Sequence, residues 1–306
     1  SGPRIPTPIH DIDSYVSLGE GNTPLIPLPR LGDFLGLNHL SAKLEFLNPT
    51  GSYKDRGTAT MISVAHELGV KEIIEDSSGN AGASVSAYSA RAGIKAHVFA
   101  PQNAPKAKIS QIIVYGAEPH LIPGPRESTT TAALDYVRRK NMIYASHNLS
   151  PYFVEGTKSF AYEVFMQMKH RMPDHIVMPV GNGSLYLGAW KGFMELKEKG
   201  HLEKIPKLHC IQAKAVMPIV AEFNGHDWTP SNNVTVAGGI SSNAPPHKEA
   251  IVNVLIQSTG SAAAVEEKAI MSYQKKLADL EGIYAEPTSS AAFAGLSELV
   301  KLGRNG

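Results

Sequence analysis

From Lys54 onward the apolar positions follow two alternating rhythms, and the joints between them hold Gly, Pro or Asn. Short runs rich in β-branched residues predict strands over 72–75, 95–100, 118–122, 175–180, 208–213 and 282–285. Apolar residues at helical spacing predict helices over 56–68, 81–92, 105–115, 127–140, 154–170, 185–199, 266–280 and 290–302. Strand and helix in alternation are the signature of parallel α/β layers. The run 175–180 reads as a fully buried strand that leads straight into a glycine turn and a helix. In an open α/β sheet, ligands gather at such carboxyl ends. The stretch 224–246, rich in Asn, Ser, Gly and Pro, reads as loops over the sheet edge.

A chain of 306 residues is long enough for two ordinary domains, each with its own core. With 42% apolar and 19% charged residues it has the composition of a globular protein. The net charge is +1, and Lys and Arg are interspersed with Asp and Glu, so no basic face exists to bind nucleic acid. That balance points to small-molecule chemistry. Cys210 is the single cysteine and lies in an apolar run, which excludes an intrachain disulfide and a cysteine-ligated metal and predicts a buried structural thiol. No metal is expected. No stretch approaches the roughly 18 apolar residues that span a bilayer, and the chain opens without a charged-then-apolar signal pattern. The expectation is a cytoplasmic protein with no membrane partner.

Four turns carry polar groups suited to chemistry. Asn48 to Gly57 leads into a helix with Lys54 at its start, where the macrodipole disfavours a cation and Arg56 pushes the same way, while Asp55 opposes it. A neutral lysine amine is the nucleophile that forms an imine with an aldehyde; a solvated first-turn lysine fits the same local pattern. Ser77, Ser78, Gly79, Asn80 and Ala81 follow a strand and open a helix, so their N–H groups converge on an anion such as a substrate carboxylate, or simply cap the helix. Gly181, Asn182, Gly183, Ser184 and Leu185 form a second strand, glycine turn and helix, without the spacing of a nucleotide loop. A single phosphate suits that turn. At the fourth, around Glu286 to Ala292, a hydroxyl meets a pyridine nitrogen or caps a helix.

The chain resembles the tryptophan-synthase-β group of pyridoxal-phosphate enzymes, and within it the threonine synthase and threonine dehydratase branch. The resemblance runs over nearly the whole chain and is carried by Leu18 to Leu25, by the run around Lys54, and by Ala237 to Ile240. It implies pyridoxal 5′-phosphate held on Lys54, which also shuttles the α-proton. It places Asn80 against the cofactor's phenolic oxygen, Gly181 to Leu185 around its phosphate, and Ser77 to Ala81 around the substrate carboxylate. The implied fold is two three-layer α/β domains with the cofactor in the cleft between them: a smaller, mobile domain over 52–145 and a larger one from 1–51 and 146–306. A homodimer and a small amino-acid substrate are implied as well.

Two positions depart from the pattern. Ala81 stands where threonine synthases often carry a threonine, and Phe153, beside Tyr152, stands where an arginine binds the substrate's phosphate. Losing one charged donor would cost about 1.5–3 kcal/mol, unless His147, Ser150 or Lys158 replaces it; the aromatic pair suits an uncharged side chain, or packs structurally. Ser289 is the candidate for the pyridine nitrogen. The expected activity is β/γ-elimination or replacement of the threonine synthase type, with a serine/threonine dehydratase, a cysteine synthase-like β-replacement and a cofactor-retaining homologue without turnover as alternatives.

Overall fold

The computed structural model describes residues 3–104, 106–124, 126–169, 171–230 and 234–304. Pro105 and His170, at the ends of two predicted helices, lie outside the described residues. In chain order the elements are β1 (Leu25–Pro27), α1 (Pro29–Leu35), β2 (Ser41–Lys43), α2 (Lys54–Glu67), β3 (Glu72–Glu75), α3 (Asn80–Ala92), β4 (Lys95–Pro101), α4 (Lys106–Val114), β5 (Glu118–Ile122), α5 (Arg126–Lys140), β6 (Ile143–Tyr144), α6 (Pro151–Thr157), α7 (Ser159–Gln167), β7 (His175–Pro179), α8 (Ser184–Glu198), β8 (Lys207–Ala213), α9 (Pro218–Phe223), α10 (Lys248–Gln257), β9 (Ala262–Val265), α11 (Glu267–Glu281) and α12 (Pro287–Arg304).

The chain divides into two compact units, one from residues 4–23 and 45–160, the other mainly from 24–44 and 161 onward. In the first, a parallel sheet runs in the order β5-β4-β3-β6. Strand periodicity sends neighbouring residues to opposite faces. Ile73, Ala96 and Val98 therefore join a core with Ile62 of α2 and Val85 and Tyr88 of α3, whereas Ile74 and Phe99 pack with Ala133 and Tyr136 of α5. Three layers result. Each large side chain buried there contributes on the order of 1.5–3 kcal/mol.

The second unit holds a parallel sheet in the order β7-β8-β9 and a separate antiparallel pair, β1-β2. Ile211 of β8 touches α12 so closely that a Cβ on Gly295 would lie 2.3 Å from Ile211 Cδ1. Its neighbour Gln212 turns the other way, donating to the Val180 carbonyl at 3.1 Å and accepting from the N–H groups of Ile219 and Val220 at the start of α9. Cys210 is free and fully buried, and burial pushes its thiol up. Among the described residues no helix is long and apolar enough to cross a membrane.

One predicted strand is absent. Residues 282–285 are irregular: Gly282 caps α11 at φ 68°, and the Ala285 carbonyl accepts from the Gln274 side chain at 2.7 Å. Ile283 and Ala285 are buried and Tyr284 is exposed, so the segment imitates a strand's alternation without a ladder. The third strand of that sheet is β9, whose alanines give no β-branched signal. The predicted helix over 154–170 is two helices, α6 and α7, that meet at Lys158.

Candidate active site

Lys54 is the first residue of α2, as expected. Its side chain is half-buried, with Nζ 4.8 Å from the ring centre of Tyr53 and 5.6 Å from that of Phe153. Its charged neighbours are engaged elsewhere. Asp55 is fully buried and accepts from Ser84 Oγ and Thr50 Oγ1, both at 2.6 Å, and from the Thr50 N–H at 2.7 Å. Burial raises its pKa, and those hydrogen bonds oppose the shift. The Ser84 bond ties the start of α2 to α3. Arg56, assigned above to repelling charge at Lys54, instead forms a bidentate pair with Glu45 at 2.7 and 2.8 Å and donates to Ser159 and Thr23. Its charge is neutralised locally. Thr23 of the Gly-Asn-Thr-Pro run donates to Glu45 at 2.8 Å, the Gly21 N–H donates to Asn48 at 2.9 Å, and Tyr88 donates to Glu20 at 2.8 Å. Sequence reasoning missed this latch, because Glu45, Ser84 and Tyr88 lie in no local motif with Lys54.

Ser77 to Asn80 form the half-buried turn between β3 and α3, and Ala81 is buried behind them. Gly79 is the N-cap and Asn80 the first helical residue, so Asn80 is not the capping residue. Asn80 Oδ1 accepts from Lys108 Nζ of α4 at 2.9 Å, a cation that no sequence signal linked to the turn. Gly82 is obligatory, since a Cβ there would fall 1.8 Å from the Ser77 carbonyl oxygen.

The stretch after β6 is built for packing. Phe153 is fully buried against Gly57, where an added Cβ would lie 2.5 Å from the ring, while Tyr152 is exposed. The aromatic pair therefore does not act together. Two of the side chains offered as replacements for the missing arginine are engaged elsewhere: His147 Nδ1 with Glu75 at 2.7 Å and Lys158 Nζ with Glu155 at 2.5 Å.

In the other unit, Gly181 to Leu185 connect β7 to α8. Gly183 is left-handed at φ 84°, and a Cβ there would lie 2.4 Å from Ile251 Cδ1. A Cβ on Gly181 would lie 2.9 Å from Ile240 Cα, so this turn abuts the loop that holds Ala237 to Ile240. Gly239 N–H in turn donates to Thr288 Oγ1 at 3.0 Å. Asn182 Oδ1 is buried without a hydrogen-bond partner among the described residues. A helix start with its N–H groups unused by the helix and two glycines that admit no side chain fit a bound phosphate, whereas the orphaned Asn182 oxygen is an acceptor and adds no donor. Ser289, third residue of α12, is half-buried and its hydroxyl has no hydrogen-bond partner among the described residues, whereas Ser290 donates back to the Glu286 carbonyl at 3.3 Å.

Parallel α/β layers with polar, glycine-bearing turns at strand carboxyl ends define an α/β protein of the small-molecule-binding class. The sequence profile described as pyridoxal-phosphate dependent enzyme matches residues 16–306, and the chain belongs to that family. Its cofactor is pyridoxal 5′-phosphate. The chain is 37% identical over 303 residues to threonine synthase of Methanocaldococcus jannaschii, covering 97% of this chain and 74% of that protein. To threonine synthase of Bacillus sp. strain ULM1 it is 36% identical over 299 residues, 97% and 82% of the two chains. The fold is that of maize serine racemase, with TM-score 0.81 at 20% identity over 95% of this chain and 88% of that one. Threonine deaminase isoform 2 of Solanum lycopersicum matches with TM-score 0.79 at 23% identity over 92% and 75% of the two chains.

Proposed function

We propose that the protein is a lyase of the threonine synthase type that eliminates or replaces a β- or γ-substituent on a small amino acid. The observation that carries this reading is Lys54: it opens α2 between two aromatic rings, and both of its charged neighbours are engaged by other partners. Pyridoxal phosphate, when bound, supplies the electron sink for charge developing at the substrate's α-carbon. Lys54 holds the cofactor and moves the α-proton through Nζ. Aromatic faces beside that nitrogen limit its solvation without supplying a competing carboxylate. With Asn80 Oδ1 accepting from Lys108, the donor half of the amide, Nδ2, is the half that suits the cofactor's phenolic oxygen. Ser77 to Ala81 hold the substrate carboxylate on the N-terminus of α3, and Gly181 to Leu185 hold the cofactor phosphate on that of α8. Ser289 offers a neutral hydroxyl to the ring nitrogen, which keeps the ring unprotonated and suits elimination and replacement better than transamination.

A second reading, a serine/threonine dehydratase, draws on Phe153. It is buried where an arginine would bind a substrate phosphate, and His147 and Lys158 are paired with Glu75 and Glu155. The test is the visible absorption band of the protein loaded with pyridoxal phosphate, which Lys54→Ala abolishes. Release of inorganic phosphate from O-phosphohomoserine supports the first reading, and release of ammonia from serine or threonine the second. A band unchanged in Lys54→Ala removes that residue from the cofactor. A homodimer and a cytoplasmic location belong to the same reading, and light scattering and cell fractionation test them.

A further inference from the structure

A cluster of histidines and carboxylates at the amino ends of β3, β4 and β5 takes no part in the proposed chemistry. Glu72 opens β3, His97 lies two residues into β4, and Glu118 and His120 lie at the start of β5. The register pairs His97 with Glu118 and Phe99 with His120, so period-two alternation puts all of these side chains on the α5 face. The Ser77 to Ala81 turn follows the opposite, carboxyl end of β3.

One ligand atom from each of the three side chains His97, Glu118 and His120 lies within 4.8 Å of the other two. His97 Nδ1 is 3.1 Å from His120 Nε2, and Glu118 places Oε2 at 3.6 Å from the first and Oε1 at 3.6 Å from the second. Around a tetrahedral Zn²⁺ with bonds of about 2.0–2.1 Å, neighbouring ligand atoms sit about 3.3–3.4 Å apart. With one carboxylate oxygen as the ligand, the exposed Glu118 side chain turns to bring that oxygen to this distance from both nitrogens. The far nitrogen of His97, Nε2, lies 2.8 Å from Glu72 Oε2. Such a carboxylate fixes the imidazole tautomer, here leaving the Nδ1 lone pair turned toward the triangle. Both rings are held in place: Phe99 stacks on His120 at 4.5 Å, and Tyr136 lies 5.6 Å from His97 and 5.3 Å from His120. His97 is buried, while Glu118 reaches solvent and opens a path for an ion. Lys95 also holds Glu118 Oε2 at 2.8 Å, an exposed ion pair of the kind that adds little stability and that a divalent ion would displace.

We propose that His97, Glu118 and His120 bind one Zn²⁺ or a divalent transition metal of like preference, with Glu72 positioning His97. Two imidazoles and a carboxylate are the ligand set of that class, and they leave a fourth position for water. Without metal, the His120 Nε2 proton bridges to His97 Nδ1; to ligate the ion the neutral His120 ring carries that proton on Nδ1 instead, so both imidazoles bind in the neutral form and no net proton is lost. The bound ion clamps β4 to β5 and stabilises the unit by mass action.

The test titrates zinc sulfate into metal-stripped protein loaded with pyridoxal phosphate, by calorimetry and thermal melting, for the wild type, His120→Asn and Glu118→Gln. The expected result is one ion per chain at micromolar affinity or tighter, with a melting temperature that rises with zinc. Each ligand variant binds at least about tenfold more weakly while its metal-free melt is retained, and Glu72→Gln weakens binding by about tenfold. Affinity unchanged in the two ligand variants, or no binding at about 100 µM zinc, overturns the site.

Discussion

Arg56 and Glu45 meet side by side, Nε on Oε2 at 2.7 Å and Nη2 on Oε1 at 2.8 Å, with the guanidinium fully enclosed. The pair sits two residues beyond Lys54 and anchors the first turn of α2. Removing one partner leaves the other charge buried and uncompensated, which costs about 3–5 kcal/mol. Glu45→Ala is expected to lower the urea midpoint accordingly, and Glu45→Met with Arg56→Met to lose less than Glu45→Ala alone. An additive double variant in a denaturation series would refute the coupling.

Gly57 and Gly156 bring α2 and α6 together, but their neighbours differ in what they can yield. A Cβ on Gly57 meets the Phe153 ring at 2.5 Å, whereas one on Gly156 meets the Arg56 carbonyl oxygen at 2.1 Å. Overpacking costs about 1–3 kcal/mol, and more where backbone must move. Phe153→Leu is expected to recover part of the loss in Gly57→Ala and none of that in Gly156→Ala, as read from melting temperatures.

At Gly183 two costs coincide, a left-handed φ of 84° and the Ile251 contact at 2.4 Å. If the turn before α8 holds the cofactor phosphate as proposed, strain of about 1–2 kcal/mol there is expected to weaken cofactor retention in Gly183→Ala by roughly tenfold on dialysis. Adding Ile251→Ala restores only the part due to contact. Full restoration would show that φ is immaterial there.

His209 gives the fold a pH dependence. Its Nδ1 accepts from the Ser261 N–H at 3.0 Å and its Nε2 faces His175 Nδ1 at 2.9 Å. Burial first, then the charges of His175 and Lys207, bring its pKa down from 6.5 to about 4. The folded pKa is depressed, so the unfolded chain takes up a proton that the native state refuses between those values. Stability from this group is full above pH 6.5 and falls as pH drops toward 4, by about 1–3 kcal/mol. Unfolding free energies over that range are expected to flatten in His209→Gln.

What the chain declares locally is read without its fold. The period of apolar residues and the steric demands of Gly, Pro and Asn act within a few positions, and so the turn before α3, the turn before α8 and the placing of Lys54 at a helix start follow from the letters alone. Cys210 shows its burial in the same way. Partners are another matter. Glu45 for Arg56, Glu75 for His147, Ser84 for Asp55 and Gly57 beneath Phe153 come from elements brought together by packing, and nothing at either position names the other. The strand misread at 282–285 and the one overlooked at 262–265 have the same origin, because alternation shows which side chains are buried but only a neighbouring strand makes a ladder. The triangle of His97, Glu118 and His120 arises from the pairing of two strands, a relationship that exists only once the sheet has formed.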